Sequence, residues 1–223
     1  MCGRFVLEKS VSFIQESFNV KEVRFTFPAS YNIAPGDMIA AIMREGTGDT
    51  CLERFMWGFI PTWAKEPPGG KGYMNARSET VMEKRSFSSS FRKRRCIIPA
   101  SGYYEWEKTP EGKMPNYIFL KGGEPMALAG IHGEWTNTMG ERIRTCAILT
   151  TDANDLLAPI HERMPVILTL GLISSWLSEG RVDPSLFSHM FQPFPARGIA
   201  YHRVSRQVNR PGYDRPECIE PAL

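Results

Sequence analysis

The second residue is a cysteine, in the run Met1-Cys2-Gly3-Arg4-Phe5. Because the residue behind it is small, Met1 is expected to be removed, which leaves Cys2 with a free α-amine and a thiol two carbons apart. Such a 1,2-aminothiol does what a lysine cannot. Its amine condenses with an aldehyde to an imine, and its thiol then closes on the imine carbon to give a five-membered thiazolidine, a far more durable adduct. The amine suits neutral pH, since its reference pKa is about 8 against about 10.4 for lysine. Position alone leaves a second reading open, because any residue type can follow an initiator by chance.

Three other stretches carry residue types that could serve such chemistry. Asn75-Ala76-Arg77-Ser78-Glu79 follows a glycine-rich loop, so its side chains are expected at the mouth of a site rather than in a regular element. Asparagine offers donor and acceptor without charge, and arginine forks onto phosphate; an ordinary surface loop accounts for the same residues. Gly102-Tyr103-Tyr104-Glu105-Trp106-Glu107 alternates, so a strand would put Tyr104 and Trp106 on one face and Tyr103, Glu105 and Glu107 on the other. Glu105 could carry a proton near pH 7 in an aromatic-walled, desolvated pocket, and is otherwise a solvated carboxylate. His161 stands just before the apolar run Met164-Pro165-Val166, at a strand entrance, and is either an acid or base or a structural histidine. Of the tryptophans, Trp57 reads as core, whereas Trp63 and Trp106 could stack on bases.

The elements that must position these residues are mostly strands. Apolar runs at Met38–Met43, Leu52–Phe59, Cys96–Ile98, Tyr103–Glu107, Asn116–Leu120, Met126–Ile131, Thr145–Thr150 and Met164–Leu168, with Gly and Pro between them, predict a curved, mainly antiparallel sheet or barrel. The fold class is therefore α+β, mainly β, with a few peripheral helices. One helix is expected over Ser10–Phe18, capped by Ser10, and another after an Asp183 N-cap and Pro184, with Leu186, Phe187, Met190 and Phe191 on its apolar face. Tyr31 to Gly36 reads as a turn, and Pro61 to Gly72 as a loop holding Trp63.

Composition narrows the function class. With 223 residues, 42% of them hydrophobic and 23% charged, the chain can bury a proper core. Without a repeat or linker it is expected to form a single domain over residues 1–223. The five cysteines are scattered singly and the four histidines lack ligand spacing, so neither a disulfide framework nor a metal site is indicated, and no cofactor is expected. No apolar run approaches the ~20 residues of a membrane helix. A soluble protein, cytoplasmic or nucleoid-associated, is the expectation. A net charge of +3 is too small to argue nucleic-acid binding, but Lys84 to Arg95 holds six basic residues and no acid.

Together these stretches resemble the SRAP (SOS-response-associated peptidase) family, whose members are similar in carrying Cys-Gly-Arg-Phe, Asn-Ala-Arg-Ser-Glu, Gly-x-Tyr-Glu-Trp and His-x-Arg-Met-Pro in this order. Here they are Cys2 to Phe5, Asn75 to Glu79, Gly102 to Trp106 and His161 to Pro165. Further matches are Tyr31 to Gly36, Trp57 to Pro61, Arg95 to Ala100 and Val204 to Asn209. The resemblance implies a single SRAP domain that senses abasic sites in single-stranded DNA and bonds to them through Cys2 as a thiazolidine crosslink, with possible lyase activity. It assigns ring opening of the sugar to His161, proton handling to Glu105 and orientation of sugar or amine to Asn75. It further implies DNA contacts for Gly3, Arg4, Trp63, Arg77, Arg85, Phe87, Trp106 and Arg163. Two other classes compete. A cysteine (auto)peptidase would use Cys2, His161 and Glu105 as nucleophile, base and orienter and would tolerate a blocked α-amine. A single-strand binding module without chemistry would leave Cys2 dispensable.

Overall fold

Strand pairing, more than helix formation, organises the chain. The computed structural model describes residues 2–45, 48–178 and 184–222. Its strands are β1 (Arg4–Leu7), β2 (Glu22–Val23), β3 (Ser30–Ile33), β4 (Met38–Arg44), β5 (Thr50–Trp57), β6 (Asn75–Arg77) and β7 (Arg95–Ala100). They continue with β8 (Gly102–Thr109), β9 (Gly112–Leu120), β10 (Met126–Thr136), β11 (Arg142–Asp152), β12 (Arg163–Pro165), β13 (Ile167–Leu168) and β14 (Ile199–Arg203). The helices are α1 (Val11–Ser17), α2 (Ser88–Lys93), α3 (Leu170–Leu177) and α4 (Pro184–Met190).

One sheet runs in the order β14-β9-β8-β1-β3, and the other follows β12-β11-β10-β7-β4-β5-β2. In the second, β11 also pairs in parallel with β5, through Thr145 with Met56 and Cys146 with Trp57, so that β11, β10, β7, β4 and β5 close on themselves as a barrel. The closed strands bury both faces, which is why Arg95–Ala100 is buried at every position and reads as a continuous apolar run rather than an alternating one. The five-stranded sheet packs one face on this barrel: Phe5 meets Trp57 edge to face at 5.1 Å between ring centres. Its other face makes a second, smaller core of Val6, Tyr104, Tyr117, Val204, Val208 and Cys218. Alternation along β1 and β8 thus sends Phe5 and Tyr103 to one core and Val6 and Tyr104 to the other.

The mainly β architecture with a few helices agrees with the sequence expectation, and α1 forms with Ser10 Oγ accepting from Phe13 N at 3.2 Å. The Asp183 N-cap of α4 lies outside the described residues, as does Met1. Three expectations need correction. Asn75–Arg77 is a strand, not an irregular mouth: β6 runs parallel to β11, with Asn75 beside Ile148 and Arg77 beside Thr150. Tyr31 to Gly36 opens as a strand, because β3 pairs with β1, and turns only afterwards, where Ala34 N donates to Asp37 Oδ2 at 2.8 Å. Met164–Leu168 is two strands, since Val166 donates to Leu149 and accepts from Ala129, handing the chain from β11 to β10.

Candidate active site

Cys2 sits where β1, β8 and β6 converge. β1 pairs antiparallel with β8 through Arg4 with Tyr104 and Phe5 with Tyr103, and the same register carried back brings Gly3 and Cys2 alongside Glu105 and Trp106. From the third segment, Asn75 Nδ2 donates to the Cys2 carbonyl at 2.9 Å. Asn75 Oδ1 is also buried and accepts no hydrogen bond among the described residues, leaving an acceptor beside the Cys2 backbone. Cys2 itself is fully buried, and Glu105 is 5% exposed, with Oε1 accepting from Trp106 N at 3.2 Å.

Burial pushes the Cys2 thiol well above its ordinary pKa, and the negative charge of Glu105 pushes in the same direction. The thiol is therefore neutral at physiological pH. Tyr103, two residues before Glu105 on the same face of β8, is 1% exposed, and its hydroxyl is likewise raised, by burial first and then by Cys2 and Glu105. Trp106 points the other way, into the second core: its indole lies 6.5 Å from the Tyr104 ring, and its Nε1 donates to Asn209 Oδ1 at 2.8 Å.

His161 stands at the neighbouring edge. The far half of β11 has β6 on one side and β12 on the other, with Thr150 facing both Arg77 and Pro165. His161 Nδ1 accepts from Arg163 N at 3.0 Å, and since a backbone N–H only donates, the neutral ring carries its proton on Nε2. Arg163 is committed within the chain. Only 8% exposed, it forks onto Glu79 at 2.7 and 2.9 Å and reaches Asp152 at 2.6 Å and the Thr150 carbonyl at 2.7 Å. It ties the His161 turn to the segment just after β6.

The remaining expected DNA contacts divide by exposure. Trp63 is 57% exposed with the Arg85 guanidinium 5.1 Å over its ring, a cationic, aromatic pair, and Arg77 is exposed as well. Phe87 does not: its ring is 5% exposed and packs 5.8 Å from Phe59 and 5.2 Å from Tyr73. Gly3 is half-buried, and Arg4 spends Nη1 on Asn32 Oδ1 at 2.7 Å and the Val208 carbonyl at 3.0 Å. In the basic run, Arg92, Lys93 and Arg94 are exposed, whereas Arg95 is buried against the backbone carbonyls of Phe91, Arg92 and Trp176. Sequence reasoning missed Asn32, Glu79, Asp152 and Asn209 as partners of site residues. Asn32, Glu79 and Asn209 lie inside the matched motif stretches, which was the one signal available.

Comparison with known proteins adds the following. The sequence profile of one family, SOS response associated peptidase (SRAP), matches residues 1–211. Abasic site processing protein YoqW of Bacillus subtilis (strain 168) is 40% identical over 99% of this chain and 99% of its own. Abasic site processing protein HMCES of Rattus norvegicus is 32% identical over 86% of this chain and 65% of its own. A crystal structure of a protein from Bacteroides thetaiotaomicron superposes with a TM-score of 0.88 at 26% identity, covering all of both chains. Among the described residues, no helix is long and apolar enough to cross a membrane, and no group of three or more His, Cys, Asp or Glu could hold a metal ion.

Proposed function

The chain belongs to the SRAP family, and from that premise we propose that it processes abasic sites in DNA by bonding to them through Cys2. The observation that carries this reading is the state of Cys2: buried, held by its own carbonyl from Asn75, with a thiol kept neutral by burial and Glu105. A neutral thiol is a poor first nucleophile. The α-amine, free once Met1 is removed, therefore attacks first.

The steps balance without an oxidant or cofactor. His161, with its proton on Nε2, delivers that proton to the ring oxygen of the closed deoxyribose as the C1′–O4′ bond breaks, and the proton leaving the C1′ hydroxyl returns through water to Nε2, so the C1′ aldehyde is exposed and the ring ends neutral. The Cys2 amine adds to C1′ and the carbinolamine loses water to give an imine. Glu105 takes the thiol proton as Sγ bonds to C1′, and that proton ends on the former imine nitrogen, closing the thiazolidine. The sum is aldehyde plus aminothiol giving thiazolidine plus one water. Asn75 Oδ1 is the open acceptor that orients the amine or a sugar hydroxyl. An imine also acidifies the C2′ hydrogen, so slow strand cleavage by β-elimination is the side reaction. Single strands are the preferred substrate because a cationic, aromatic surface such as Trp63 with Arg85 stacks unpaired bases, which a partner strand would block.

The test is purified protein mixed with single-stranded DNA carrying one abasic site. The expected result is a shifted band stable to heat and SDS, absent with Cys2→Ala, which forms at most an imine visible after borohydride. A variant that crosslinks as stably as wild type without reductant overturns the thiazolidine, and an N-acetylated Cys2 that still reacts restores the peptidase-type thiol.

A further inference from the structure

Two stretches far apart in sequence, Tyr31 to Gly36 and Val204 to Asn209, meet beneath the start of β1. Asn32 is their hub. Its Oδ1 accepts from Arg4 Nη1 at 2.7 Å, and its Nδ2 donates to the carbonyls of Val208 at 3.0 Å and Tyr213 at 2.7 Å. Arg4 Nη1 donates to Val208 as well, at 3.0 Å. Further along, Asp214 accepts from Tyr31 N and, at 2.8 Å, from Ser30 Oγ, while Asn209 Oδ1 takes the Trp106 indole at 2.8 Å. Val204 and Val208 are buried in the second core, so the segment is packed as well as hydrogen-bonded.

The segment 204–214 is thus a strap across three adjacent strands, gripping β8 at Trp106, β1 at Arg4 and β3 at Asn32. Each grip on the reacting strands falls beside a reactive residue: Trp106 follows Glu105, and Arg4 lies two positions after Cys2. We propose that this strap is the positioning element for Cys2 and Glu105, and that Asn209 acts for it on β8 through the Trp106 indole. Asn75 holds Cys2 from the barrel side, and the strap holds the neighbouring Arg4 and Trp106 from the opposite face of the sheet. Forming a five-membered ring between two protein atoms and C1′ tolerates little displacement, whereas the proposed non-covalent DNA binding draws on the exposed Trp63, Arg77 and Arg85, none of which belongs to the strap or is hydrogen-bonded by Asn209. Losing the Asn209 hydrogen bond should therefore slow chemistry and spare affinity.

The inference rests on the abasic-site reading, and the experiment separates the two. Wild type, Asn209→Leu and Asn209→Asp are compared for single-turnover crosslinking at saturating abasic single strand. Affinity is measured for the same strand bearing a tetrahydrofuran lesion, which has no aldehyde, and thermal unfolding is recorded for each protein. Asn209→Leu keeps the volume and removes the acceptor; Asn209→Asp keeps an acceptor for the indole N–H. The expected result is a rate about 10- to 100-fold lower in Asn209→Leu, with affinity within about threefold of wild type and most of the rate recovered in Asn209→Asp. A rate in Asn209→Leu equal to wild type overturns the inference. So does equal slowing of both variants, or an affinity that falls in step with the rate. Failure of wild type itself to crosslink overturns the functional reading instead, whatever Asn209 does.

Discussion

At Cys2 the usual arrangement of a reactive cysteine is inverted. Catalytic thiols are commonly made acidic by neighbouring cations or helix ends, whereas this one is raised by burial and by Glu105. The sign gives a prediction. Glu105→Gln keeps the shape and removes the negative charge that disfavours the thiolate, so the Cys2 thiol should titrate at lower pH than in wild type, while crosslinking slows by about 10²-fold or more because the proton acceptor is gone. The pH dependence of alkylation of the N-terminal peptide, followed by mass spectrometry, reads the first effect, and crosslink kinetics from pH 5 to 9 read the second. An unmoved alkylation midpoint denies the coupling, and unaltered kinetics return Glu105 to a structural part. The exposed surface divides by mechanism. Trp63→Ala should weaken non-covalent binding of single strands by about 1–3 kcal/mol without changing its salt dependence. Arg77→Ala should reduce the slope of log affinity against log salt by about one. Titrations at several salt concentrations decide both, and a Trp63→Ala protein with a changed slope would contradict the stacking role.

Among the elements, β6 depends on a glycine contact two turns of chain before Asn75. Gly58 has φ +150° and Gly72 φ +79°, and a Cβ on Gly72 would lie 2.5 Å from the Gly58 carbonyl oxygen. That close approach lets Phe59 and Tyr73 exchange paired hydrogen bonds of 2.9 Å, which aim the following segment along β11. Gly72→Ala is expected to destabilise the protein by about 1–3 kcal/mol, lowering Tm by about 2–4 °C per kcal/mol for a chain of this size, and to slow crosslinking through Asn75. Thermal unfolding by calorimetry is the check, and an unchanged Tm would show that the backbone absorbs the methyl. Element by element, the long apolar strands were legible from their sequence, since β4, β5, β7, β8, β9, β10 and β11 each contain a run that alternation or burial makes visible. Three of the short ones were not. β1, β3 and β6 are three or four residues long, and they exist because distant partners complete their hydrogen bonds.

Across the whole molecule, barrel closure buries one histidine with consequences for stability. His132 lies on β10 opposite Cys146, 5.2 Å from the Phe55 ring, and burial followed by the charges of Arg94 and Arg144 pulls its pKa down to about 3. The unfolded chain binds a proton there near pH 6.5, which the folded state refuses until about pH 3. Stability from this site is therefore complete above about pH 6.5 and is lost as pH falls, by at most about 1.4 kcal/mol per pH unit. His132→Gln should flatten the acid limb of Tm against pH between pH 6.5 and 4, and an equally steep limb would assign it to other groups. What the sequence alone determined are the chemical types and local periodicities: the aminothiol at Cys2, the two faces of β8, the Ser10 cap, and the ordered motifs that make the family resemblance. These depend on neighbours a few residues away. Tertiary structure decided which of those residues are spent on the fold. Arg163 and Phe87 resemble DNA contacts in sequence but are enclosed by Glu79, Asp152, Phe59 and Tyr73, and the raised state of the Cys2 thiol arises from burial between sheet and barrel. Burial, strand closure and electrostatic neighbourhood are sums over contacts between distant segments, and no local pattern encodes them.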